Sequence, residues 1–202
     1  GMNRAVVGRT AAGIAAFLIS RGLSKVIIGR DARHGSLEFA QESAEIFSGT
    51  GLEVYLLPRE LPTPVLAFAV NELKMDCGIM VTASHNPAID NGYKVYLGGA
   101  NGGGQIISPA DREISAEIHE VAASKTFDQI AKSAKFKMLG DALIEEYVQT
   151  TRKLVGEPTA TQLKIVYSAM HADTDDPVSH WEKVRKDQAH FASLFEGGDK
   201  VV

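Results

Sequence analysis

The chain has 202 residues, enough for one large domain or one domain and the beginning of another, and a hydrophobic content of 45% can fill a real core. A net charge of −4 and a pI near 5.9, with no cluster of Lys and Arg, exclude a general nucleic-acid surface. Cys77 is the single cysteine, so no intrachain disulfide can form and a reducing compartment is expected; no stretch reaches the roughly 20 apolar residues of a membrane helix.

Gly1 ahead of Met2 reads as a remnant of tag cleavage and is left out of fold reasoning. Arg4 and Arg9 before an apolar run have the outline of a secretory signal, but Ser20-Arg21-Gly22 offers no small-residue cleavage site and a strand follows directly. A cytoplasmic protein is expected.

Residues 3–21 predict a helix, with Val6, Ile14, Phe17 and Leu18 on a broad apolar face and Gly22 suited to its C-cap. Residues 25–29 (Lys-Val-Ile-Ile-Gly) form a short buried strand that ends in Arg30-Asp31-Ala32-Arg33. Ser36 can cap the next helix, which runs to Gly49 with Phe39, Ala40, Ala44 and Phe47 near one face. A second strand covers 53–57. Leu61-Pro62-Thr63-Pro64 is a rigid turn that opens a helix running to Leu73. The third strand, 77–81, is apolar throughout and breaks abruptly into Thr82-Ala83-Ser84-His85-Asn86-Pro87, closed by a turn signal. This β-α-β-α-β order predicts an α/β fold, a mixed and largely parallel sheet sandwiched between helices.

A fourth strand is expected over 93–97. The glycine-rich run 98–104 lacks Gly-Lys-Ser/Thr and does not pass from a strand straight into a helix, so it reads as a hairpin connection to 105–107 and not as a phosphate cradle. Pro109, with Asp111 and Glu113 in the first turn, opens a helix to Ala123. Residues 124–140 read as a polar interdomain region, and 141–155 as an amphipathic helix with Leu143, Tyr147 and Leu154 among its apolar positions. A linker over 156–161 and a strand over 163–167 then begin a second unit. The expected division is a domain of residues 1–140 and a second segment, 141–202, holding a helix, the start of a second α/β domain and a divergent tail. Asp173, Asp175 and Asp176 stand before Pro177 and are given no metal role.

In open α/β sheets ligands bind beyond the carboxyl ends of the strands, which makes Ser84 the first candidate for chemistry. Alone, a Ser-His pair is an ordinary loop dipeptide, and without a Gly-x-Ser-x-Gly elbow it is no hydrolase signature. Its context is more specific. Thr82-Ala83-Ser84-His85-Asn86-Pro87 resembles the phosphoserine loop of the α-D-phosphohexomutases, the phosphoglucomutase/phosphomannomutase family. Gly29-Arg30-Asp31-Ala32-Arg33 is similar to that family's Gly-Arg-Asp-x-Arg turn, and Pro62-Thr63-Pro64 to the turn before its serine strand. Asp90 to Tyr96 and Gln105 to Pro109 resemble the branch of phosphoglucomutases and phosphopentomutases. Residues 163–171 look like the opening strand of the second domain.

The resemblance implies an intramolecular phosphotransferase that moves phosphate between C1 and C6 of a hexose, or C5 of a pentose, through phosphorylated Ser84 and a bisphosphorylated sugar. It implies Lys94 for acid/base work at the sugar hydroxyl and His85 as a neighbouring donor. Asn86, Arg30 and Arg33 line the phosphate side, with the two arginines read as a salt-bridged turn. Phosphoserine carries about −1.5 to −2 charge, so Mg²⁺ is expected with Ser84 among its ligands. The partner is a sugar phosphate of glucose, mannose or a pentose, tilted towards glucose or pentose, with no nucleic acid and no membrane.

The sequence also departs from the family. The first strand with its arginine turn, the Asp-rich metal loop and the sugar- and phosphate-recognition domains have no counterpart here, and Ala172 stands where a glycine is expected. An incomplete chain with little activity alone is therefore expected, and a homodimer or a complementing chain could cover the open sheet edge. The alternative is a non-catalytic sugar-phosphate-binding or interaction module that keeps the fold.

Overall fold

The centre of the fold is a strand whose middle no solvent reaches. A computed structural model describes residues 1–87 and 89–155 and places β1 (Lys25–Arg30) in the middle of a six-stranded sheet. Val26, Ile27 and Ile28 of β1 are fully buried. A strand with helices on both faces reads as a continuous apolar run, as this one does. β2 (Glu53–Glu60) and β3 (Cys77–Val81) flank β1 in parallel, giving the order β5-β4-β3-β1-β2-β6.

That order decides where the helices go. The chain leaves β1, crosses through α2 (Ser36–Gly49) to β2, then crosses back over β1 through α3 (Thr63–Glu72) to β3. Right-handed crossovers in opposite directions must lie on opposite faces. The cores agree: Val26, Ile28, Val54, Ile79 and Val81 pack with Phe47 of α2 and with α1 (Arg4–Ser20). Ile27, Leu57 and Met80 pack on the other face with Val65, Leu66 and Val70 of α3. Each fully buried Leu, Ile or Phe in such a core contributes roughly 1.5–3 kcal/mol through removal from water.

β4 (Tyr93–Leu97) returns antiparallel to β3, and β5 (Gly104–Gln105) pairs with it after a one-turn 3₁₀ segment. At this return Gly98 passes so close to the Met75 carbonyl that a Cβ would lie 1.8 Å from its oxygen, which only glycine allows. α4 (Ala110–Ser124) follows Pro109 and lies along α1. α5 (Ala142–Val155) packs on α3, where Leu143 is buried and the Tyr147 ring meets Phe68 edge to face at 5.5 Å.

Three local details differ from expectation. β2 continues to Glu60, past residue 57. Gly35, at φ +79, takes the cap position of α2, and the Ser36 hydroxyl turns away to donate to Asp31 Oδ1 at 2.7 Å. The polar stretch 124–140 is woven into the body: it carries a 3₁₀ turn at Phe127–Gln129 and β6 (Lys137–Met138), a sixth strand parallel to β2. The Leu139 N–H extends that pairing by donating to the Leu56 carbonyl at 2.9 Å. The expected linker at 156–161, the strand at 163–167 and the tail lie outside the described residues.

Candidate active site

Strands β1 and β3 are neighbours and parallel, so the chain leaves both at the same end of the sheet. The chain leaving β1 turns there to the α2 face, while the chain leaving β3 loops back to β4, and the carboxyl ends of the strands are where an open α/β sheet binds its ligands. The Arg30–Arg33 turn and the Thr82–Asp90 loop meet there. The Asp31 N–H carries the β1/β3 pairing one step further by donating to the Val81 carbonyl at 3.1 Å.

Thr82 is buried, its N–H donating to the Gly92 carbonyl at 3.0 Å. Its hydroxyl oxygen accepts from the Ser84 N–H, also at 3.0 Å. Gly92 is a close pass: a Cβ there would lie 2.7 Å from the Thr82 carbonyl oxygen. Ser84 itself is exposed and adopts φ +59, a left-handed conformation uncommon outside glycine. The Asn86 N–H donates to the Ala83 carbonyl at 3.1 Å and closes the turn around it.

Beneath the loop lies Arg33, with a fully buried side chain. A guanidinium carries five N–H groups, and all five are committed. Nε donates to Asp31 Oδ2 at 3.1 Å. Nη1 donates to the carbonyls of Pro87 at 2.6 Å and Asp90 at 3.2 Å. Nη2 donates to the carbonyls of Ser84 at 2.7 Å and Asn86 at 2.8 Å. Asp31 is braced in turn by the Ser36 hydroxyl and by the Arg33 N–H at 3.1 Å. The Asn91 amide donates to Ser36 Oγ at 2.8 Å and to the His34 carbonyl at 3.2 Å.

The site residues named from sequence separate into groups. Ser84, His85 and Asn86 sit together on the exposed turn. Lys94 is half-buried on β4, opposite Met80, and shares with Tyr96 the sheet face covered by α3. Arg30 is directed to the β2 side, where its guanidinium pairs with Glu60. Arg33, read from sequence as part of a salt-bridged turn lining the phosphate side, pairs with Asp31 and spends its other donors on loop carbonyls inside the protein. Sequence reasoning passed over Thr82, Ser36 and Asn91, which hold the loop. An Asp-x-Arg turn after one buried strand and a polar loop closed by Asn86-Pro87 after another were the available signal.

Burial raises the Tyr93 hydroxyl far above the usual phenol range despite its hydrogen bond to Ser43, so this phenol stays protonated. Among the described residues, no group of three or more His, Cys, Asp and Glu side chains comes together to hold a metal ion.

Comparison with known proteins fits this arrangement. The family model "Phosphoglucomutase/phosphomannomutase, alpha/beta/alpha domain I" matches residues 1–125. The chain belongs to the phosphoglucomutase/phosphomannomutase family. A Haemophilus influenzae protein bearing the name phosphomannomutase is 49% identical over 174 residues, covering 85% of this chain and 35% of that protein. A Staphylococcus haemolyticus phosphoglucomutase is 34% identical over 185 residues, covering 84% of this chain and 31% of its own length. A Saccharomyces cerevisiae phosphoribomutase is 33% identical over 189 residues, covering 84% and 31%. Among solved structures, a Thermus thermophilus protein described as a phosphomannomutase superposes with a TM-score of 0.62 at 32% identity, covering 69% of this chain and 30% of that one. The chain thus spans about a third of the length of the curated relatives it matches. As a family member it shows the mixed α/β sheet and flanking helices of the first phosphohexomutase domain. No helix among the described residues is long and apolar enough to cross a membrane.

Proposed function

We propose that this chain is the phosphoserine domain of a phosphohexomutase-type phosphotransferase, with Ser84 as the phosphoryl carrier. The observation that carries the reading is Ser84 itself: an exposed hydroxyl on a left-handed turn, held rigidly at the carboxyl end of a buried parallel strand. Phosphoryl transfer asks a protein mainly for such positioning and for charge neutralisation.

In this scheme Ser84 Oγ forms a bond to phosphorus as the bond between phosphorus and the sugar oxygen breaks. The serine proton passes to the departing sugar oxygen, and the reverse transfer to another sugar hydroxyl completes the isomerisation. Lys94 is proposed for proton transfer at the sugar hydroxyl. His85 and Asn86, exposed beside Ser84, are proposed as donors to phosphate or sugar. Mg²⁺ is the ion the family implies, and when bound it would neutralise phosphate charge. The described residues do not fit it by themselves: phosphorylated Ser84 would supply one ligand, and the remaining oxygens would come from outside them.

The named relatives differ in their sugar and agree on phosphomutase chemistry, so the substrate proposed is a sugar phosphate, without choosing the sugar. A cytoplasmic setting is part of the proposal, supported by the lone, buried Cys77. A complementing chain would have to add to β5 or β6, each only two residues long. Such short edges give strand pairing little backbone to use.

The test is incubation of the full chain with glucose 1,6-bisphosphate and Mg²⁺, followed by intact mass and peptide mapping. One phosphoryl group on Ser84, absent from Ser84→Ala, is expected. No uptake at saturating donor would refute the carrier role, and binding of the same donor by calorimetry without uptake would favour the non-catalytic module.

A further inference from the structure

A serine at φ +59 is held there against its own preference. Non-glycine residues stay in the left-handed region only where the surroundings over-determine them. Around Ser84 the constraints can be read one by one. Its N–H is fixed by Thr82 Oγ1, and its turn is closed by the Asn86 N–H on the Ala83 carbonyl. Both are local and reach two or three residues. Arg33 is the constraint that comes from elsewhere in the chain: one nitrogen, Nη2, grips the carbonyls of Ser84 and Asn86 together. Its other terminal nitrogen grips Pro87 and Asp90, so four loop carbonyls converge on one planar cation.

We infer that Arg33 is a positioning residue for phosphoryl transfer, acting through the loop to hold Ser84 in its left-handed conformation. The inference rests on the phosphoserine reading. With four carbonyls turned inward, the Ser84 hydroxyl is left on the solvent side. Arg33 is itself fixed, because Asp31 accepts from both its Nε and its backbone N–H and is braced by Ser36. A lysine could not replace it. An ammonium has three donors and no planar fork, so it cannot serve four carbonyls and Asp31 at once.

The test compares the full chain with Arg33→Lys, Ser84→Gly and the double variant. Amide hydrogen exchange over 83–91 is one readout; the rate of Ser84 phosphorylation by glucose 1,6-bisphosphate with Mg²⁺ is the other. Arg33→Lys is expected to speed exchange in the loop about tenfold or more, the scale set by strain at a left-handed serine. Combined with Ser84→Gly, where φ +59 carries no steric cost, the same substitution is expected to speed exchange less than about threefold. The maximal phosphorylation rate of Arg33→Lys is expected to fall about tenfold or more while the donor concentration for half-maximal rate stays within about twofold, since only positioning is lost. Equal acceleration in the Ser84 and Ser84→Gly backgrounds, or phosphorylation of Arg33→Lys at the parent rate, would overturn the inference. Failure of the parent chain to accept phosphate would refute the phosphoserine reading instead, and the exchange comparison would still decide whether Arg33 holds the serine. Should Arg33→Lys not fold, Ser36→Ala takes its place by removing one brace from Asp31. It is expected to speed exchange within the loop alone, and acceleration spread through the sheet would overturn the inference.

Discussion

Removing the carboxylate of Glu42 should unfasten the segment that carries β6. The Glu42 side chain is 4% exposed, on α2. Its Oε2 accepts from Arg4 Nε at 2.6 Å, and its Oε1 accepts from the Lys132 ammonium. The two cations also flank one aromatic ring, with Arg4 Cζ 5.9 Å and Lys132 Nζ 4.4 Å from the centre of Phe127. Glu42→Gln keeps the volume but sets an amide N–H against a cation. Each charge-assisted hydrogen bond is worth roughly 1.5–3 kcal/mol. With Arg4 65% and Lys132 30% exposed, water recovers much of that. The net loss expected is about 2 kcal/mol, and at roughly 2–4 °C per kcal/mol for a chain of this size the Tm should fall about 4–8 °C.

The pH dependence gives a second check on the same residue. Burial raises the Glu42 pKa, but the hydrogen bonds from Lys132 and Arg4 outweigh it and hold the carboxyl below its ordinary 4.5. A depressed folded pKa contributes stability that is present above 4.5 and is lost as pH falls through the lower folded value. Urea melts from neutral to acid pH should therefore show the parent and Glu42→Gln curves converging below 4.5. A difference at neutral pH under about 0.5 kcal/mol, within the range of an unremarkable surface change, would refute the reasoning. So would a gap that does not close in acid.

Gly92→Ala places a Cβ 2.7 Å from the Thr82 carbonyl oxygen, and the backbone on both sides must shift. A loss of about 1–3 kcal/mol in urea-measured stability is expected, with faster exchange of the Thr82 amide; an unchanged midpoint would show that the pass is looser than described. Cys77 is fully buried, and burial, with the charge of Asp76 beside it, pushes its thiol well above the usual range. A water-soluble disulfide reagent at mildly alkaline pH should label it only as fast as the chain unfolds, and rapid labelling of folded protein would contradict its placement.

The helices and central strands were legible because their apolar residues recur at regular spacings, and Pro64 and Pro109 mark helix starts as expected. β6 was not legible. Two residues, Lys137 and Met138, carry no periodicity, and what makes them a strand is the facing edge at Tyr55 and Leu56. One signal there could have been read: Thr126 and Gln129 form a capping box, with the Thr126 N–H donating to Gln129 Oε1 at 2.9 Å. The serine loop was legible as a motif and its support was not. Arg33 meets carbonyls that lie 51 to 57 residues further along the chain, a distance at which no local pattern operates. Ser36 shows the same competition, because its cap propensity lost to the tertiary partner Asp31.

The buried support also constrains where neutralising charge can come from. Phosphorylation of Ser84 would place about −1.5 to −2 charge on the solvent side of the loop. Arg33 lies on the other side and cannot offset it alone, because Asp31 stands 3.1 Å from its Nε and the pair is close to neutral as seen from the serine. Arg30 is likewise matched by Glu60. The cations of this loop region that are buried in the fold are therefore spent on geometry. Neutralisation falls to groups on the solvent side of the loop and to whatever binds there. Preorganised donors act most strongly when aimed at the charge that develops, so under the proposed phosphoserine role this support holds Ser84 firmly and leaves the stabilisation of charge to groups other than Arg33 and Arg30.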